Sequence, residues 1–202
     1  MKAIVQGTTF PFTVPQGFRI TPEQFEQLAS VEQLARLELN ASGELIVMSP
    51  TGGTAGKKNF NLYIDFGIWN RQTKLGEAFD SSTIFALPNG ARRSPDVAWV
   101  KLERWNELNQ SQQDSYPPIA PDFVIELVSP SDLINQRYED LQDKMQEYLN
   151  NGVQLGWLIE PSAKTVEIYR IDKQVEILNN PQTLSGEDVL PGFTLDLTEI
   201  FA

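Results

Sequence analysis

The chain has 202 residues, 41% of them hydrophobic, and carries 27 Asp and Glu against 16 Lys and Arg, for a formal net charge of −11 at pH 7. That length fits one domain with a sizeable core, and the acidity argues against a general nucleic-acid coat protein, which normally presents a basic surface. There is no Cys and no His, which excludes disulfides, thiolate nucleophiles, imidazole bases and Cys/His metal sites. Carboxylates remain, with Lys, hydroxyls, amides and a hard cation such as Mg²⁺. No run of about 20 apolar residues is long enough to span a bilayer, and the N-terminal Met1-Lys2-Ala3-Ile4-Val5-Gln6 lacks the apolar stretch of a signal peptide. The expectation is one soluble, cytoplasmic domain over 1–202 with no membrane partner.

Residues 1 to 20, with Gly7, Pro11, Pro15 and Gly17, read as an irregular arm ahead of a core running from 20 to 200. Thr21-Pro22-Glu23-Gln24 predicts a helix start, with Thr21 as N-cap, Pro22 as first helical residue and Gln24 closing a capping box. Leu37-Glu38-Leu39-Asn40 and Glu44-Leu45-Ile46-Val47-Met48 read as a hairpin around Ala41-Ser42-Gly43, ended by Ser49-Pro50-Thr51-Gly52-Gly53. From 58 to 74, Phe60, Tyr63, Ile64 and Ile68 recur near helical spacing and predict one long amphipathic helix. Strands are expected at 81–87, 96–100 and 123–128, with a short helix and a loop between the last two. Ser129-Pro130-Ser131-Asp132 supplies turn and cap chemistry for a helix from about 133 to 150, which Asn151-Gly152 stops. A strand at 153–159, a hairpin at 165–170 and 175–178, and a tail opened by Leu190-Pro191-Gly192-Phe193 complete the chain. This order describes an α/β or α+β domain with a central mixed sheet flanked by helices. Trp69, Trp99, Trp105 and Trp157 read as core or interface residues.

Glu126 interrupts an otherwise apolar run, Phe123 to Val128, that reads as a strand buried on both faces. An unpaired charge there would cost several kcal/mol, so the group is neutralised, paired with a cation such as an arginine, or opens onto a cavity. Asp96 begins another apolar strand behind Pro95, a residue suited to a strand's first position. It either caps a turn or joins Glu126 on one hard cation. Lysine two residues after Glu126 would lie on the same strand face, but Val128 stands there. The nearest later candidate is Lys144, which alternatively pairs with Asp140 on the helix surface. Glu44 is a candidate third carboxylate or an exposed hairpin charge. The segment Thr51-Gly52-Gly53-Thr54-Ala55-Gly56-Lys57-Lys58 fails the P-loop pattern in spacing and in lacking Ser or Thr after the lysine. As a flexible entry to a helix N-terminus it still offers Lys57 and Lys58 as phosphate contacts.

Taken together, Ser94-Pro95-Asp96, the run from Pro121 to Asp132, Lys144-Met145-Gln146-Glu147-Tyr148, Gly152 to Ile159 and Leu190-Pro191-Gly192-Phe193 resemble a known pattern. It is that of the family of "putative restriction endonucleases", once catalogued as a domain of unknown function and abundant in photosynthetic bacteria, within the PD-(D/E)xK nuclease superfamily. The resemblance spans roughly residues 20 to 200. It implies a restriction-endonuclease-like core that cuts DNA with Mg²⁺, or Mn²⁺ in its place, held by Asp96 and Glu126. It further implies a lysine borrowed from the following helix, Lys144, and an acidic residue from the first core element, for which Glu44 is the nearest candidate. A homodimer is plausible in such a superfamily. The Glu or His expected of relatives near residues 54 to 59 is absent here. A nuclease fold acting without cleavage, as a DNA-binding or protein-interaction module, is the alternative from another class.

Overall fold

The computed structural model describes residues 17–31, 36–48, 51–130, 132–133 and 137–202. Its first helix, α1 (Pro22–Val31), begins with the capping box read from the sequence. The Thr21 N–H donates to Gln24 Oε1 at 2.9 Å and the Gln24 N–H donates to Thr21 Oγ1 at 3.2 Å, so two otherwise orphaned donors are satisfied reciprocally. The hairpin follows as β1 (Arg36–Leu39) and β2 (Leu45–Met48), paired antiparallel with Leu39 opposite Leu45. Residues 1 to 16 of the expected arm, the hairpin's end at Ser49-Pro50, Ser131 of the turn and residues 134 to 136 of the helix expected from about 133 lie outside the described residues.

The long helix, α2 (Gly53–Thr73), starts five residues earlier than its apolar spacing suggests. Next come β3 (Gly76–Asp80), β4 (Phe85–Ala86), β5 (Arg92–Arg93) and β6 (Val97–Lys101). The single strand expected at 81–87 is therefore corrected. Asp80 Oδ1 accepts from the Ser82 N–H at 3.0 Å and Ser82 Oγ at 2.6 Å, a side-chain-built turn that ends one strand before the next begins. The polar connection holds α3 (Leu102–Asn106) and α4 (Gln110–Gln113). Then follow β7 (Phe123–Leu127), α5 (Arg137–Asn150), β8 (Leu155–Glu160), β9 (Thr165–Arg170) and β10 (Glu176–Asn179). The tail is a hairpin, β11 (Thr183–Ser185) with β12 (Thr194–Asp196).

The central sheet has strand order β10-β9-β8-β7-β6-β3. Among the described residues its one parallel neighbouring pair is β7 with β8, and α5 is the crossover between them, as a parallel pair requires. Alternation along the strands sorts side chains to two faces, and both are covered. Val97, Trp99, Phe123, Ile125 and Trp157 pack with Leu62, Phe66 and Trp69 of α2 and with Phe193 and Leu195 of the tail. Ala98, Val124 and Leu158 pack with Met145, Tyr148 and Leu149 of α5. Gly156 of β8 lies under that helix: a Cβ there would come within 2.5 Å of Met145 Cε and 3.2 Å of Val124 Cγ2. A smaller sheet, β2-β1-β5-β4, lies alongside, with Phe25 of α1 packed on Leu37, Leu39 and Leu45. Among the described residues no helix is long and apolar enough to cross a membrane.

Two glycines separate crowding from helix propensity. At Gly76 a Cβ would overlap the Val100 carbonyl oxygen and the Trp99 indole, whereas at Gly67, inside α2, it would meet nothing within 4 Å. Gly76→Ala is expected to lower stability by about 2 to 3 kcal/mol through overpacking, and Gly67→Ala to raise it by about 0.5 to 1 kcal/mol; urea unfolding midpoints of the two variants check both signs.

Candidate active site

The even-numbered side chains of β7 face α5, so the strand that buries Glu126 also aims it at the helix. Lys144 lies in that helix's buried stripe beside Met145 and Tyr148, and its ammonium reaches Glu126 Oε1 at 2.7 Å and Glu38 Oε1 at 2.9 Å. The helix-surface pairing with Asp140 is thus not what holds Lys144. The Tyr148 hydroxyl donates to Glu126 Oε1 at 3.0 Å, so both contacts to Glu126 fall on one oxygen. All three members of the ion-paired group are buried, with Glu38 only 2% exposed.

Glu38, from β1, is the acid that sequence reasoning missed. Arg93 Nη1 donates to its Oε2 at 3.0 Å, and the Ser94 N–H donates to its Oε1 at 3.0 Å. Arg93 in turn holds Glu147 of α5 at 2.5 Å. In the sequence Glu38 alternates with Leu37 and Leu39 and reads as the wet side of a strand. The available signal was the Arg92-Arg93 pair just before Asp96, since buried guanidinium groups demand carboxylates. Glu44, the candidate chosen from the same hairpin, lies at its turn instead. It accepts from the Gly17 N–H at 3.1 Å and Asn40 Nδ2 at 3.4 Å, so the structure does not bring it to the cluster.

Asp96 immediately precedes β6 and sits beside β7. Its Oδ2 accepts from the Leu127 N–H at 2.9 Å, which ties it to the residue after Glu126. Its Oδ1 has a long contact of 3.4 Å with Asn59 Nδ2 of α2, and Asn59 Oδ1 is buried without a hydrogen-bond partner among the described residues. Lys58 points elsewhere. Its ammonium donates to the main-chain oxygens of Ile200 at 2.6 Å and Ala202 at 2.9 Å, so its donors clasp the tail rather than a phosphate, while Lys57 is exposed on α2.

Electrostatics separate the acids. Burial raises Glu126 to about 7, with the charges of Asp96 and Glu38 adding to the rise and Lys144 opposing it. Burial also raises Asp96, against the Leu127 hydrogen bond and the charges of Lys144 and Arg36. Glu38 moves the other way: burial would raise it, but Lys144 and Arg93 outweigh that and hold it below the usual range. Burial pulls Lys144 down, but Glu126 and Glu38 more than restore it, so it stays a cation. Acids of similar surroundings pushed in opposite directions are a mark of a site that handles protons or cations.

Hard oxygens suit a hard cation. Asp96 Oδ1, Glu126 Oε2 and the orphaned Asn59 Oδ1 are oxygens that hydrogen bonds leave weakly held or unheld. No group of three or more carboxylates that could hold a metal ion occurs among the described residues, and Glu38 is committed to Arg93, Ser94 and Lys144. A cation here would rest on two carboxylates, an arrangement hard divalent ions accept.

The buried charges set two stability expectations. Lys144→Met leaves Glu126 and Glu38 facing each other and is expected to cost about 3 to 5 kcal/mol at pH 7. Glu126→Gln does the opposite above pH 7. Because the folded-state value lies above the unfolded one, the folded protein binds the extra proton, and stability falls as pH rises from about 4.5 towards 7. The amide removes that penalty, so on the order of 2 kcal/mol of gain is expected at pH 8 and none at pH 4. Thermal melts without divalent ions at the two pH values check both variants.

A solved structure from Anabaena variabilis, described as a "putative nuclease belonging to DUF820", superposes on this fold with a TM-score of 0.74. It is 21% identical over 90% of this chain and 97% of that one, and the likeness shows a shared fold. No curated protein matches the chain. The family model described as "Uma2: Putative restriction endonuclease" matches residues 22–198, a span that takes in both sheets, α2, α5 and each side chain of the cluster. The chain belongs to the Uma2 family of "putative restriction endonucleases".

Proposed function

We propose that the protein is a divalent-metal-dependent endonuclease that hydrolyses DNA phosphodiester bonds, with Asp96 and Glu126 as metal ligands and Lys144 as the cationic group beside them. The observation that carries this reading is the 2.7 Å contact between Lys144 and Glu126. It brings an ammonium to Glu126 from the following helix although the strand itself offers Val128.

When bound, Mg²⁺, or Mn²⁺ in its place, supplies Lewis-acid neutralisation of phosphoryl charge. Asp96 and Glu126 would hold it through Oδ1 and Oε2, and rotation of the Asn59 amide would aim its unpaired oxygen at the same ion. An ammonium has three N–H donors. Two of those on Lys144 are directed at Glu126 and Glu38, which leaves a third to orient the attacking water or to meet charge developing on the phosphoryl oxygens. Glu38 is a positioning residue: Arg93 and the Ser94 N–H fix its carboxylate, and it fixes the ammonium. Charge placement of this sort is the main protein contribution in such reactions.

Supercoiled plasmid incubated with the protein and Mg²⁺ or Mn²⁺ is expected to be nicked. Asp96→Ala and Lys144→Met should each lower the rate by about 10²-fold or more, and Glu44→Ala should leave it within about twofold. Nicking that survives in Asp96→Ala would belong to a contaminant. A native protein that nicks under no metal, yet still binds the plasmid, would make the chain a DNA-binding module instead. Glu126, which burial keeps protonated up to about 7, would have to give up that proton to serve as a ligand. Mn²⁺ affinity measured calorimetrically should therefore climb about tenfold per pH unit between pH 5 and 7 and level off above.

A further inference from the structure

Beside Asp96 lies a cavity of about 260 Å³, lined by Arg36, Met48, Ser81, Ile84, Ser94 and Tyr116 among others. Its wall is shared with the acid cluster. Ser94 stands two residues before Asp96 and gives its N–H to Glu38, while its hydroxyl donates to the Ser81 carbonyl at 2.6 Å. Arg36 stands two residues before Glu38 on β1 and opposite Met48 in the hairpin.

The cations of this region differ in what they already hold. Lys144 is taken by Glu126 and Glu38, Arg93 by Glu38 and Glu147, and Arg92 by Glu26. Arg36 has no ion pair or side-chain hydrogen bond among the described residues, yet its charge is felt at Asp96, where it eases the rise that burial imposes. Two further groups in the cavity can donate. Ser81 Oγ accepts from the Tyr63 hydroxyl at 3.1 Å and so keeps its own proton for another acceptor. The Tyr116 hydroxyl has no hydrogen-bond partner among the described residues. Arg36, Tyr116 and Ser81 thus line one space, smaller than the roughly 300 Å³ at which drug-sized pockets begin. Met48 and Ile84, with Leu37 and Ala29, form the apolar part of its wall, which suits a sugar or base edge.

Resting on the nuclease reading above, we propose that this cavity is a subsite for the DNA backbone phosphate next to the scissile one, with Arg36 as its charge partner and Tyr116 and Ser81 as hydrogen-bond donors. A chain of net charge −11 repels a polyanion at long range. An arginine without a carboxylate partner among the described residues, one wall away from Asp96, offers a bidentate contact at the point where the backbone must be held against that repulsion.

The test is binding of a fluorescently labelled short DNA duplex to the full chain, with Ca²⁺ replacing Mg²⁺ to prevent cleavage, followed by anisotropy over a range of NaCl. Arg36→Gln is expected to raise Kd about tenfold near 0.1 M salt and to reduce the slope of log Kd against log salt by about 1, the signature of one lost phosphate contact. Arg36→Lys should restore the slope but only part of the affinity. Tyr116→Phe should weaken binding severalfold with the slope unchanged, and it decides the matter if Arg36→Gln fails to fold. Unchanged affinity and slope in Arg36→Gln, or unchanged affinity in Tyr116→Phe in that fallback, would overturn the subsite while leaving plasmid nicking by the native protein intact. A native protein that binds no duplex at any salt would overturn the subsite and the nuclease reading together.

Discussion

The Lys144 ammonium, wedged between Glu126 and Glu38, is the contact on which the rest of the arrangement depends. It joins three elements at one point: the central strand β7, the helix α5 that crosses over it, and β1 of the smaller sheet. Removed from water, each of these charges would cost several kcal/mol alone. They persist because the lone pairs and protons are shared out: the Ser94 N–H and Arg93 on Glu38, the Tyr148 hydroxyl on Glu126, Glu147 on the far side of Arg93. The balance is still imperfect. Glu126 remains reluctant to ionise, and that residual discomfort is what a divalent cation would relieve.

Much of the frame could be read from residue order because it rests on local rules. The Thr21 capping box, the hairpin before Met48 and the apolar strand at Phe123 each declare themselves within a few residues. The strand predicted at 81–87 went astray where Asp80 and Ser82 build a turn from side chains, a local signal that the apolar run at Ile84 to Leu87 obscured. Gly76 opens a neighbouring strand whose first residue is accommodated only by the absence of a side chain against Trp99, and no periodicity announces such a fit.

The site divides along the same line. Asp96 and Glu126 stand out because a charge in an apolar strand is anomalous wherever that strand goes. Glu38 and Asn59 do not, because a strand with alternating polarity and a polar residue on an amphipathic helix both look solvated. The burial of Glu38 and of the Asn59 amide oxygen comes from the packing of the smaller sheet and of α2, a tertiary matter. Lys58 illustrates the converse: a lysine at the entry to a helix suggests an anion, but the tail folds back and presents its main-chain oxygens to the ammonium first.

A lysine carried on a strand has its position fixed by the hydrogen-bond ladder, whereas one carried on a helix inherits every displacement of that helix. Gly156 therefore acquires a significance beyond packing. With no side chain beneath Met145, α5 settles onto the sheet closely enough for Lys144, the next residue along, to span Glu126 and Glu38 at once. The thickness of a single methyl group under the helix sets the height of the ammonium above the acids, so this chemistry is gauged by a residue that carries no functional group at all.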